Sequence, residues 1–119
     1  SWDVSNVTTM RGMFGFTTAF NGDISEWDLS SVEDMRFMFW GAEAFNRDIS
    51  TWDVSSIDTV YDFEYDGDRN AMESMFEDAT SFNQDLSPWC VSQFSSKPED
   101  FDKGATSWTE PRPVWGTCP

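Results

Sequence analysis

The stretch Trp27-Asp28-Leu29-Ser30-Ser31-Val32-Glu33-Asp34-Met35-Arg36-Phe37-Met38-Phe39, continuing to Phe45-Asn46-Arg47-Asp48-Ile49-Ser50, decides how the rest of the chain is read. Its opening matches Trp2-Asp3-Val4-Ser5 and Trp52-Asp53-Val54-Ser55, each 25 residues away. Its ending matches Phe20-Asn21-Gly22-Asp23-Ile24-Ser25 at the same spacing, then Phe82-Asn83-Gln84-Asp85-Leu86-Ser87 at 37. The third unit therefore carries 12 additional residues. Because Met35 and Met38-Phe39 reappear as Met72 and Met75-Phe76, those residues fall at about 60–71. Trp89-Cys90-Val91-Ser92 opens a fourth, degenerate unit. Self-similarity at this period indicates stacked units, none of which can bury its apolar side alone.

Val7, Met10, Met13, Phe14 and Thr17 follow helical spacing over about three turns, so each unit is expected to contain a short helix. Ser5, Ser30 and Ser55 precede those stripes and can cap them. The Asp-Ile-Ser-x-Trp-Asp-Val stretch alternates polar and apolar residues and is expected to form a short strand. The expectation is an α/β repeat solenoid. Three regular coils of 25 residues, helix plus strand, occupy residues 1–91, and an irregular C-terminal cap occupies 92–119. Stacking would align Trp2, Trp27, Trp52 and Trp89, as well as Asp23, Asp48 and Asp85. Aspartates about 4.8 Å apart repel by roughly 0.9 kcal/mol in water and about 3.5 kcal/mol at an effective dielectric of 20. They are expected to bind backbone N–H groups in turns instead of being buried unpaired.

The chain has 119 residues, room for one domain, with 7 basic and 22 acidic residues and a formal charge of −15. That charge disfavours nucleic acid and anionic lipid as partners. With 7 Trp and 11 Phe the chain is nevertheless too aromatic for a disordered acidic tail. It contains no histidine, which removes His-based triads, His-ligated zinc and the commonest general base. Its acidic residues are numerous and laddered without a visible pocket, so no enzyme activity is expected. No apolar run approaches a membrane span. The pattern is already running at Trp2, as in a mature product or fragment whose first coil contacts another chain or further repeats. Cys90 and Cys118 flank the degenerate unit; a disulfide closing the cap in an oxidising compartment is the economical reading, with two reduced thiols as the alternative. Asn6-Val7-Thr8 fits a glycosylation sequon.

The insertion has spacing that suggests chemistry. Asp62, Glu64, Asp66, Asp68, Asn70 and Glu73 occupy loop positions 1, 3, 5, 7, 9 and 12, with Gly67 at position 6. Calcium requires six to eight oxygens, and this is the oxygen order of an EF-hand loop. Arg69 at position 8 and Glu64 at position 3 depart from that pattern. The expectation is a single calcium loop grafted on a repeat, of weak affinity; an acidic solvated insertion is the alternative.

Over Ser1 to about Val91, the string Trp-Asp-Val-Ser-x-Val-x-x-Met-x-x-Met-Phe, continuing to Phe-Asn-x-Asp-Ile-Ser, resembles the BspA-like surface repeat, a leucine-rich-repeat relative. The ending Trp115-Gly116-Thr117-Cys118-Pro119 resembles the tail of such arrays. The resemblance implies a right-handed solenoid on secreted or surface proteins, used in adhesion and assembly. The expected function is thus a non-catalytic extracellular or cell-surface structural module, supported by calcium, that binds a protein partner or identical modules. The alternative is a carbohydrate-binding module in which sugar rings stack on Trp residues.

Overall fold

The computed structural model of the chain describes residues 3–64 and 66–119. Its repeated units meet along four aligned segments, here called rungs, at residues 10–17, 35–42, 72–79 and 98–105. Within a rung, N–H groups bond three residues back, as in Met38 to Met35, Trp40 to Phe37 and Ala42 to Phe39 at 3.0–3.3 Å. The intervening N–H groups leave the rung. Those of Met10, Gly12, Phe14 and Phe16 donate to the carbonyls of Asp34, Arg36, Met38 and Trp40 at 2.7–3.0 Å. Met35, Phe37, Phe39 and Gly41 donate in turn to Ala71, Glu73, Met75 and Glu77, and Ser74, Phe76 and Asp78 to Glu99, Phe101 and Lys103.

This arrangement corrects the α/β solenoid of helix-plus-strand coils: among the described residues there is no helix, and the only two strands lie in the insertion. The apolar spacing does not discriminate between helix and linked turns. Met35, Met38, Phe39 and Ala42 are all fully buried on one side of a rung made of turns, as they would be on a helix face. A helix of eight or so residues is marginal in water, whereas the rung satisfies half its donors across the stack. Linked turns carry a local cost, a positive φ at the third residue of alternate turns. Gly12, Phe37, Ser74 and Asp100 adopt it at one aligned position, and Phe16, Gly41, Asp78 and Gly104 at the other.

The expected strand is likewise a pair of turns. Asp23 accepts the Ser25 N–H and Asp28 the Ser30 N–H, while Trp27 N–H bonds to Ile24 O, which consumes the donors that a ladder would need. Strands form where the repeat is interrupted: β1 (Thr59–Asp62) and β2 (Gly67–Asn70) pair antiparallel, with Thr59 opposite Asn70 and Asp62 opposite Gly67.

Stacking the units makes ladders of side chains. Phe20, Phe45 and Phe82 lie 5.9 and 5.8 Å apart with their rings nearly parallel, and Phe14, Phe39 and Phe76 run beside them at 5.7 and 5.2 Å. Trp52 and Trp89 stack at 6.4 Å, their indole N–H groups donating to Ile24 O and Ile49 O of the neighbouring unit. Trp2 of the expected tryptophan ladder lies outside the described residues. Asn21 Oδ1 accepts the Asn46 N–H and Asn46 Oδ1 the Asn83 N–H, so each asparagine side chain joins two units.

The last unit breaks these ladders with charge. Asp102 stands where Phe14, Phe39 and Phe76 stand, and Arg112 where Ile24, Ile49 and Leu86 stand. The two pair at 3.0 Å, with Lys97 at 2.9 Å from Asp102 and Arg112 lying 4.6 Å over Trp108. Phe101 and Trp108 meet Phe76 edge-on instead of continuing the parallel stack. Cys90 and Cys118 form a disulfide, beside which Val91 N–H bonds Thr117 O and Gly116 N–H bonds Val91 O. Closing a loop of this size lowers unfolded-chain entropy by about 3 to 4 kcal/mol. The Cys90→Ser, Cys118→Ser variant is expected to lose about 2 to 4 kcal/mol in urea unfolding and to exchange amides faster at 91 and 117.

Candidate functional site

The inserted hairpin distributes the six predicted metal ligands over both of its faces. Side chains alternate along a strand, so Asp62, opposite Gly67, points to the buried side, and Asp68, opposite Tyr61, to the exposed side. Asp62 Oδ2 meets Arg36 at 2.6 Å, and its Oδ1 accepts the Glu64 N–H. Asp66 accepts the Tyr61 hydroxyl, Asn70 Oδ1 the Met72 N–H, and Glu73 pairs with Arg69 at 3.0 Å. Glu64 is exposed. Among the described residues no three carboxylate or thiol groups are gathered as a metal ion requires. Asn6, the glycosylation candidate, is exposed.

Arg36 is 3% exposed and lies between Asp34, also buried, and Asp62. Its Nε and Nη2 hold both oxygens of Asp34 at 3.1 and 3.0 Å, and its Nη1 takes Asp62. The Asp34 bonds raise its pKa further above the ordinary arginine value, against the opposing effect of burial and with help from Asp62. The cation therefore joins the second rung to the insertion. No motif signalled this, since Arg36 reads in sequence as the repeat of Arg11, which lies on the surface and stacks 5.4 Å over Phe37.

The outer side of the first two rungs is aromatic. Phe16 and Phe37 both have positive φ, at 60° and 62°, where sister units place Gly, Ser or Asp. A bulky side chain there costs on the order of 1 to 3 kcal/mol. Both rings converge on Trp40, at centroid distances of 5.1 and 5.3 Å, and Phe16 remains 68% exposed. Tyr61 and Phe63 extend the surface on the hairpin, with Phe63 89% exposed, and with Arg11 and Thr9 they line a shallow cleft of about 400 Å³. On the same outer positions the later units carry Glu73, Glu77, Asp78 and Glu99. A second groove, of about 740 Å³, is lined by Trp27, Arg47 and acidic residues including Asp28, Asp48 and Asp53.

Asp3, Asp23, Asp28, Asp48, Asp53 and Asp85 each hold a serine two residues on. That serine's side-chain bond, then its backbone N–H, depresses the carboxyl pKa below its ordinary value. Each depressed group contributes stability above the unfolded carboxylate value of about 4, lost as pH falls through the folded value. Relief of the −15 charge acts the other way in acid, so a difference measurement is needed. Asp53→Asn is expected to be less stable than the parent at pH 7, with the gap narrowing as pH falls below the ordinary carboxylate value of about 4; urea midpoints at pH 7 and in acid check it.

No helix of the described residues is long and apolar enough to cross a membrane. No curated protein and no solved structure matches the chain. A family match covers residues 1–70 and 67–117, spanning the three repeats, the insertion and most of the disulfide-closed last unit. The chain therefore belongs to the family described as Mycoplasma protein of unknown function, DUF285.

Proposed function

We propose that this chain is a non-catalytic surface module that binds a protein partner, or identical modules, through the aromatic face of its first two rungs. Kinship with the BspA-like surface repeats, an extracellular or cell-surface location and a role in adhesion or assembly belong to the same reading. The observation that carries it is the pair Phe16 and Phe37, held at positive φ with their rings turned outward around Trp40. Backbone strain that leaves the core no better packed is accounted for by a surface role. A cluster of exposed Phe16 with half-buried Phe37 and Trp40, and Arg11 over Phe37, has the composition of an interface centre.

Glycine suits both positions, so Phe16→Gly, Phe37→Gly removes the rings without distorting the rungs. The variant is expected to unfold at or above the parent temperature and to bind about tenfold or more weakly to immobilised extracellular-matrix proteins and to the parent chain. Unchanged binding would remove this face from the reading. The glycan alternative is favoured by the Trp27 groove alone, because Trp52 and Trp89 are buried in the core. Quenching of tryptophan fluorescence by soluble oligosaccharides, without binding to protein surfaces, would transfer the function to that groove.

Calcium support of the hairpin is part of the proposal and rests on the oxygen spacing. Asp62 faces Arg36 and Glu73 faces Arg69, so the ion must compete with two guanidinium groups. Binding is expected only at about millimolar calcium, as a small rise in melting temperature that is lost in Glu64→Ala, Asp66→Ala. No heat in calorimetry with 10 mM calcium chloride, ~10-fold above the expected midpoint, removes calcium from the function.

A further inference from the structure

Along the body of each rung the bonds run one way; the return bonds, Glu33 N–H to Thr8 O and Glu43 N–H to Thr17 O, lie at the two ends of the first pair. Each rung gives N–H groups to the rung that follows and receives from the rung before through its own carbonyls, at 34, 36, 38 and 40 in the second and 71, 73, 75 and 77 in the third. The corresponding carbonyls of the first rung belong to Thr9, Arg11, Met13 and Gly15, and no described residue donates to them. The side chains on that face are those of an interior. Met13 is 38% exposed while its counterparts Met38 and Met75 are fully buried, and Val7 and Phe20 are half-buried where Val32, Ile57, Phe45 and Phe82 are buried.

The opposite end is sealed. Pro98 occupies the first donor position of the last rung and has no N–H to give. Asp102 and Arg112 replace apolar residues of two ladders and pair with each other. Charge and proline at an edge are how stacked structures refuse further pairing. The two ends therefore differ in kind, one blocked by several substitutions and the other keeping Val7, Met10, Met13, Phe14 and Phe20 of the repeat.

We infer that the face formed by Val7, Met13, Phe20 and the carbonyls of Thr9, Arg11, Met13 and Gly15 is a docking surface for the N–H edge of another unit of this same repeat. The occupant follows from the polarity of the ladder. An ordinary strand edge alternates donors and acceptors and satisfies only part of a row of four acceptors, whereas a rung of this kind presents a matching row of four donors, as Met35, Phe37, Phe39 and Gly41 do. A second copy in face-to-face contact would oppose carbonyls to carbonyls. A second copy in head-to-tail contact would present Pro98 and the Asp102–Arg112 pair. The occupant is thus a unit whose donor edge is unblocked, whichever chain carries it, and the 119-residue chain does not polymerise by this face.

Residues 26–50 continue the period in register when placed ahead of Ser1, and supply such a unit. The extended chain is expected to melt several degrees above the parent and to protect the added copy's amides equivalent to Met35, Phe37, Phe39 and Gly41 by about tenfold or more in hydrogen exchange. A matched extension carrying Phe39→Asp and Ile49→Arg in the added copy alone, the substitutions that close the natural end, should show neither effect. Sedimentation of the parent should give a monomer at concentrations where the aromatic face is unoccupied by partner. Amides of the unmodified added copy exchanging as unfolded chain, loss of folding in that extension, equal gains in both extensions, or head-to-tail polymers of the parent that survive Phe16→Gly, Phe37→Gly would each overturn the inference. Those double-glycine polymers also separate this inference from the function proposed above, which rests on the outer rings.

Discussion

Arg36→Ala is expected to cost about 3 to 5 kcal/mol, among the largest single-residue effects in the molecule. The substitution leaves Asp34 at 7% and Asp62 at 4% exposure facing one another without the cation between them. Buried carboxylates that lose this guanidinium lose the charge-assisted bonds that offset their desolvation. The second rung and the insertion are then expected to separate, because Arg36 holds Asp34 on one and Asp62 on the other at 3.0 and 2.6 Å. Equilibrium urea unfolding measures the loss. Arg36→Met combined with Asp34→Asn and Asp62→Asn removes the charges together and should recover more than half of it, because breaking such a network costs more than replacing it. Equal losses in the single and triple variants would show that the ion cluster contributes shape alone.

Phe39→Ala should lose about 3 to 5 kcal/mol for a different reason. Phe39 is fully buried and touches rings on all sides: Phe45 at 4.2 Å, Phe76 at 5.2 Å, Phe14 at 5.7 Å and Trp52 at 6.3 Å. Truncation opens a cavity between three units that stacked, hydrogen-bonded rungs cannot collapse to fill. Phe14 has the same role in the first rung but is 7% exposed and has a neighbouring rung on one side only. Phe14→Ala is expected to cost less than Phe39→Ala, by about 1 kcal/mol or more, since stability in a stack is carried by interfaces between neighbours. Thermal melts of the two variants check this order; a larger loss at Phe14 would mean that the units do not depend on one another in this way.

What the amino-acid order determined by itself was the repeat and its consequences. Trp, Met, Phe and Asn recurring at one spacing must meet their own kind when units stack, and the Phe20, Phe45 and Phe82 ladder, the asparagine ladder and the buried Trp52 and Trp89 follow from that. The Cys90–Cys118 bond followed from there being only two thiols, placed at the edges of the irregular unit. The aspartates at 23, 48 and 85 took up turn N–H groups, as short acidic side chains beside serine do. Secondary structure was not legible, because Met35, Met38, Phe39 and Ala42 share one side both of a helix and of linked turns. Only the offer of carbonyls from the next rung decides where the N–H groups go, and that offer exists only once the units are stacked. The arrangement of the insertion was tertiary for the same kind of reason. Its acids are spaced as a loop around an ion, but pairing Tyr61 with Asp68 and Asp62 with Gly67 puts Asp62 and Asp68 on opposite faces. Arg36, 26 residues from Asp62, then supplies the cation at the buried one.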